Sequence, residues 1–143
     1  MCKETIQQRN GERGANRYII SNNQTALNVM ETFAMLNLCG FENELPVDVI
    51  PLFETVEDLE NAESVMRTLY SNRVYRHHLS KRKNKQTIMC GFSDGTKDGG
   101  YLMANWGIFK AKEALTRVSR EFDIEVSASS RLRVVLTGVV IVW

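Results

Sequence analysis

The sequence predicts an α/β fold with parallel strands, three to four βα units of an incomplete (β/α)8 barrel. Three observations predict it. Short β-branched and aromatic runs alternate with longer stretches of helical period, in the order strand, helix, strand, helix, strand, helix, strand, the signature of βαβ units on a parallel sheet. Turn and capping residues stand between the runs. The length of 143 residues falls short of the ~250 that a closed barrel takes, which leaves an incomplete barrel or a small open sheet of four strands.

Residues 1–16 are polar, and Gly11 and Gly14 interrupt any long helix, so they read as a loop or frayed end. Arg17 to Ser21 is a first strand. Asn22 or Asn23 caps a helix in which Leu27, Met30, Phe33, Ala34 and Leu38 recur at helical spacing until Gly40. Glu42 to Pro46 is a connector, and Val47 to Phe53 a second strand whose Pro51 belongs near its end or at a bulge. Thr55 and Asp58 form a capping-box pattern before a helix that buries Leu59, Ala62, Val65, Met66 and Leu69. A short helical piece from Val74 to Leu79 leads to the basic run Lys81 to Lys85, read as a solvated turn. The third strand, Gln86 to Phe92, enters a turn from Gly91 to Gly100. A long helix from Tyr101 to Arg120 follows, with Leu102, Trp106, Phe109 and Leu115 expected inside. Ile124 to Val126 is a fourth strand.

Composition narrows the function classes. A net charge of +1 with 43% hydrophobic residues suits a globular segment and does not point to nucleic acid. Cys2, Cys39 and Cys90 form no C-x-x-C pair, which argues against a disulfide framework or structural zinc. The polar N-terminus carries no secretory signal, and the apolar run Val134 to Trp143 has about half the ~20 residues of a membrane span. A cytoplasmic protein without a membrane partner is expected.

Ligands of parallel α/β folds collect at the carboxyl ends of strands. Glu54 follows the second strand and Asp94 the third. On strands about 4.8 Å apart the two carboxylates can reach one point, and without His or Cys beside them they suit a hard cation such as Mg2+ or Mn2+. The same carboxylates could instead satisfy helix N-termini. Lys97 lies in the same turn, either as an anion-holding group or as an exposed lysine. Asp98 suits a helix cap. His77 and His78 lie in a helical stretch away from any strand end, and no catalytic role is expected for them.

These residues carry a resemblance. Tyr18-Ile19-Ile20-Ser21, then Pro51-Leu52-Phe53-Glu54-Thr55 with Asp58-Leu59, then Gly91-Phe92-Ser93-Asp94 with Lys97-Asp98 and Gly100, resemble phosphoenolpyruvate carboxylases over about residues 11–126. The third motif is similar to G-Y-S-D-S-x-K-D-A-G, with Phe92 for Tyr, Gly95 for Ser and Gly99 for Ala. The resemblance implies an enzyme of helices and an α/β barrel that joins phosphoenolpyruvate to bicarbonate, giving oxaloacetate and phosphate, with Mg2+ or Mn2+ and no biotin. It implies that Glu54 and Asp94 bind the metal, that Lys97 helps to hold bicarbonate or the carboxyphosphate derived from it, and that the full-length enzyme is a homotetramer.

It also implies what this stretch lacks. The family's T-x-H-P-T histidine is not among these residues, and after Val126 the arginine-glycine loop F-H-G-R-G-G is replaced by Ser127-Ala128-Ser129-Ser130-Arg131-Leu132-Arg133. A Gly-Gly run read one base late begins with valine codons, and Val134-Val135, Val139-Val140 and Val142 lie where the glycines belong. Residues 127–143 are therefore expected to be a non-family tail produced by a shifted frame, with a local terminus ending in an apolar strand as the alternative. A fragment inactive by itself is expected; the alternative function is a non-catalytic α/β module that binds a metal or phosphate.

Overall fold

The computed structural model describes residues 2–11, 15–39, 45–91 and 93–129, with the backbone alone at 2–5, 93–99 and 128–129. The elements are α1 (Cys2–Asn10), β1 (Arg17–Ile20), α2 (Ala26–Leu38), β2 (Asp48–Phe53), α3 (Val56–Ser71), α4 (Arg73–Lys81), β3 (Lys85–Cys90), α5 (Ser93–Glu121) and β4 (Glu125–Ser129). All described strands are parallel and lie in the order β1-β2-β3-β4. This order discriminates between parallel architectures. A doubly wound sheet reverses direction at a switch point, whereas here each crossover steps the same way; with one crossover hand, the helices share one face. Consecutive units of a βα barrel are laid out like this, and the described strands form an open part of one.

Side-chain alternation follows the same plan. On β2, Val49 and Phe53 join Ile88, Cys90 and the buried faces of α2 to α5 in the main core, while Ile50 and Leu52 join Ile19 and Met89 in a second cluster on the other face. The recorded β1–β2 pairs run from Arg17↔Asp48 to Ile20↔Pro51, and the β2–β3 pairs are Leu52↔Met89 and Phe53↔Cys90. Pro51, expected near a strand end or at a bulge, lies two residues before the end of β2, where the recorded pairing passes from β1 to β3. Continued backwards, the β2–β3 register sets Gln86 level with Val49. There the Gln86 side chain substitutes for a backbone rung: its amide donates to the Val49 carbonyl at 3.0 Å and the Thr87 carbonyl at 2.8 Å, and its oxygen accepts from the Tyr75 hydroxyl at 2.8 Å.

The capped helix after β2 matches its sequence pattern closely. Thr55 and Asp58 close a capping box on α3, and Leu59, Ala62, Val65, Met66 and Leu69 are all buried. Several expectations are corrected. The N-terminal stretch expected as a loop forms α1 over Cys2–Asn10, which stops at Gly11 in the left-handed region (φ 78°). It lacks an apolar stripe; the Gln7 amide ties it to the Ala15 and Pro46 carbonyls at 2.9 and 3.0 Å. The cap of α2 is Thr25 rather than Asn22 or Asn23, and α2 buries Val29 and Phe33 while Leu27, Ala34 and Leu38 are exposed. Helix α5 begins at Ser93, inside the expected turn, and is broken at Gly100 (φ 76°, ψ 167°), a conformation that favours glycine. Finally, α5 buries Ala104, Ile108, Ala111, Leu115 and Val118, while Leu102, Trp106 and Phe109 are exposed. Strand β4 starts one residue later than expected and continues to Ser129. Among the described residues no helix is long and apolar enough to cross a membrane.

Candidate functional site

The carboxyl end of the sheet is built by three strand exits. β2 ends at Phe53, and Glu54 follows before the Thr55 cap. β3 ends at Cys90, and Gly91 donates its N–H to the Phe53 carbonyl at 2.6 Å, carrying the pairing one step past the strand. This seats Gly91 directly against Glu54. A Cβ on Gly91 would stand 3.0 Å from Glu54 Cγ and 3.1 Å from Glu54 Cα, so a hydrogen is all that fits without a shift. Met89 belongs to the cluster on the face away from the helices, and Gly91 is two residues on, so its open side and the Glu54 stem meet on that face.

Glu54 is half-buried, and its backbone N–H lies 3.3 Å from Asp58 Oδ2. Asp58 also accepts from the Thr55 N–H at 3.1 Å and is itself buried, so its carboxylate is committed to the helix cap. Thus one acidic side chain at this end serves α3, and its neighbour Glu54 stands at the exit of β2. Asp94 and Lys97 lie on the backbone of the first turns of α5, three and six residues beyond Gly91. Their side chains, like that of Asp98, lie outside the described residues, so the expected meeting of Glu54 with Asp94 is not described. Among the described residues there is no group of three His, Cys, Asp or Glu side chains that could hold a metal.

Neighbouring groups rule themselves out chemically. A depression of about 650 Å³ between the starts of α2 and α3 is lined by Glu57, Asp58 and Glu60 with no basic residue, which suits no anionic substrate. The Cys90 thiol is pushed up by burial, away from the thiolate form. His77 is exposed. His78 is buried against Phe33 and Tyr75, with ring centroids 5.0 and 6.1 Å away. Burial first, then Arg82, holds its pKa down at about 4, against the opposing effects of Asp48 and the Val47 backbone hydrogen bond. Both histidines are at the helical layer.

Two residues at the site escaped sequence reasoning. Gly91 read as one more turn glycine, although its spacing before Ser93-Asp94 was visible; its fit against Glu54 is a tertiary fact. Asn23, three residues beyond β1, is 0% exposed, and both its amide oxygen and its amide nitrogen lack a hydrogen-bond partner among the described residues. The preceding Asn22 is in the left-handed region (φ 52°). Nothing in the local pattern distinguishes Asn23 from a cap.

Comparison with known proteins bears on this arrangement. A family model described as phosphoenolpyruvate carboxylase matches residues 2–128. The phosphoenolpyruvate carboxylase of Corynebacterium diphtheriae is 40% identical over 116 residues, which cover 81% of this chain and 12% of the relative. That of Nitrosomonas europaea is 41% identical over 118 residues, covering 79% of this chain and 13% of the relative. That of Mycobacterium leprae is 36% identical over 122 residues, covering 81% and 13%. The chain spans about an eighth of the length of the curated relatives it matches.

Proposed function

The chain belongs to the phosphoenolpyruvate carboxylase family, and from that premise we propose that it supplies the metal-binding and bicarbonate-holding edge of an active site that joins phosphoenolpyruvate to bicarbonate, giving oxaloacetate and phosphate. The observation that carries the reading is the close seating of Gly91 on Glu54 at the carboxyl ends of adjacent parallel strands. It holds a carboxylate hard against the exit of β3, at the end of the sheet where parallel α/β folds bind ligands.

In this reading Glu54 and Asp94 hold Mg2+ or Mn2+. Oxygen donors without His or Cys fit a hard cation that retains water and takes the remaining ligands from substrate. When bound, such an ion would polarise substrate oxygens and offset the negative charge that develops as the phosphoryl group departs. Lys97 holds bicarbonate, or the carboxyphosphate formed from it, by charge-assisted hydrogen bonds, and so keeps two anions close together. Gly91 keeps the Glu54 stem against the β3 backbone, which fixes the carboxylate before ligands arrive. The full reaction needs groups from the remaining seven-eighths of the relatives' length, so the isolated chain is expected to be inactive.

Residues from about Ser127 onward are proposed to be a frame-shifted reading of the family's arginine-glycine loop. The family match ending at residue 128 supports this, and nucleotide sequencing tests it. A second frame that encodes no Arg-Gly-Gly run would overturn it.

Metal binding separates this reading from a bare structural role. Mn2+ titration followed by water-proton relaxation is expected to show binding by the chain, weakened about tenfold or more by Glu54→Gln and by Asp94→Asn. Equal affinity in all three proteins would sink the metal assignment. In the Corynebacterium relative carrying residues 2–128 of this chain, Lys97→Met is expected to raise KM for bicarbonate without changing Mn2+ affinity. An unchanged KM would remove Lys97 from the site.

A further inference from the structure

The sheet is covered on a face that no described helix occupies. Ile19, Ile50, Leu52 and Met89 lie on the side away from the main core, yet they are 3%, 2%, 2% and 9% exposed, and no residue of a described helix belongs to their cluster. On an open sheet with its helices on one face, side chains of the other face meet solvent unless something lies on them. The cover is local. Toward the amino ends of the strands the same face opens, and Arg17, Lys85 and Ser127 are exposed. Arg17, Asp48, Lys85 and Thr87 line a depression of about 690 Å³ with Asn10 and Gly11, which separates the end of α1 from the buried cluster.

We propose that residues 130–143 fold back over the carboxyl half of this face and bury Ile19, Ile50, Leu52 and Met89, so that the chain covers its own open sheet. The segment leaves from the right place. Ser129, the last residue of β4, pairs with Met89, and one alternation step below it, at the Thr87↔Ser127 pair, the face is still open on β4. Its composition suits a dry contact: 132–136 reads Leu-Arg-Val-Val-Leu and 139–143 reads Val-Val-Ile-Val-Trp, nine apolar residues in fourteen, with the turn signal Thr137-Gly138 between the two runs. It also has the reach. Ile19 on β1 is two strand spacings, about 10 Å, from β3, and fourteen extended residues span up to ~46 Å.

The other stretches outside the described side chains are poorer covers. Residues 12–14 and 40–44 lead into the amino ends of β1 and β2, and 93–99 reads Ser-Asp-Gly-Thr-Lys-Asp-Gly, without an apolar side chain. Phe92 brings a single ring to four side chains spread over three strands. A second copy laid on this face would also have to cover the charges of Arg17, Lys85 and Glu125, which are exposed on it. The family match ends at residue 128, so the cover belongs to this chain and not to the family. The inference goes beyond the active-site reading and does not rest on it.

Methionine oxidation of the full chain by hydrogen peroxide, resolved peptide by peptide in mass spectrometry, tests the proposal. Met35 and Met103 are exposed and Met66 is buried in the main core, so they calibrate open and closed positions within the same molecule. Met89 is expected to oxidise about tenfold or more slowly than Met35 and Met103, at a rate independent of protein concentration. The double substitution Val140→Asp and Ile141→Asp puts a charge on both sides of an extended run, and is expected to speed Met89 about tenfold while Met66 stays slow. An unchanged Met89 rate in that variant would overturn the proposal, as would protection that grows with concentration, which would make a second copy the cover. If Met66 speeds up as well, the variant has lost its fold, and a photo-cross-linker decides in the otherwise unaltered chain. Benzoylphenylalanine in place of Val140 is expected to join the peptides that carry Ile50 or Met89 of the same molecule; no adduct there, or adducts only between isotopically distinct copies, would overturn the proposal.

Discussion

Gly91 has space for a hydrogen and little more, and its neighbour Glu54 is the residue on which the metal assignment depends. An alanine Cβ would meet Glu54 at its Cα as well as at its flexible stem, so the strand exits must part. Gly91→Ala is therefore expected to cost about 1–3 kcal/mol in urea unfolding and to weaken Mn2+ binding. A neutral effect on both would show that the close seating is incidental. Gln86 presents the opposite case, a polar side chain fully used in the interior. Gln86→Leu leaves the Val49 carbonyl and Tyr75 hydroxyl without that partner, and is expected to destabilise by about 2–4 kcal/mol, larger than a surface Gln change. Glu54 was legible in the sequence because a carboxylate directly after an apolar run marks a strand end. Gln86 and Asn23 were not, since what surrounds a buried amide depends on register between strands that no local pattern encodes.

At the scale of elements, α3 was readable because its cap, its acidic first turn and its buried stripe all agree. Thr55→Ala removes the cap hydroxyl and is expected to lower stability by about 1 kcal/mol, measured by thermal melting. Helices α2 and α5 misled because several of their large apolar residues lie off the buried face: on α2 Phe33 is buried but Leu38 is 87% exposed, and on α5 Leu102, Trp106 and Phe109 are exposed. Size was a poor guide to direction where a helix is apolar on more than one side. Helix α4 carries a pH dependence. Because the His78 pKa falls from 6.5 to about 4 on folding, the folded state favours neutral His78. Its contribution is fully present above about pH 6.5 and is lost as pH drops toward 4, amounting to roughly 3 kcal/mol at the acid limit. Arg82 and Asp48, paired at 2.7 Å nearby, pull on it in opposite directions. Urea midpoints between pH 7.5 and 4.5 should fall less steeply for His78→Phe than for the parent. Parallel slopes would mean that His78 titrates alike in both states.

The sequential parallel order of the strands has a consequence for the whole molecule. Among the described residues β1 and β4 each pair on one side only, so the sheet presents two edges where a closed barrel would have none. Strand order was foreseeable from alternation and short connections. Closure was not, because four parallel strands in sequential order leave the sheet open among the described residues. Parallel edges carry unpaired N–H and C=O groups, and β4 offers Val126 and Ser127 with no charged residue after Glu125 to discourage pairing. The purified chain is therefore expected to associate with increasing concentration in sedimentation velocity, to melt below the ~45–65 °C usual for mesophilic domains, and to release no phosphate from phosphoenolpyruvate with bicarbonate and Mg2+. A monomer with a sharp transition in that range would mean that the open sheet is self-sufficient. Measurable phosphate release would place a complete site within an eighth of the relatives' length, and the assignment of the missing groups to the rest of the polypeptide would have to be given up.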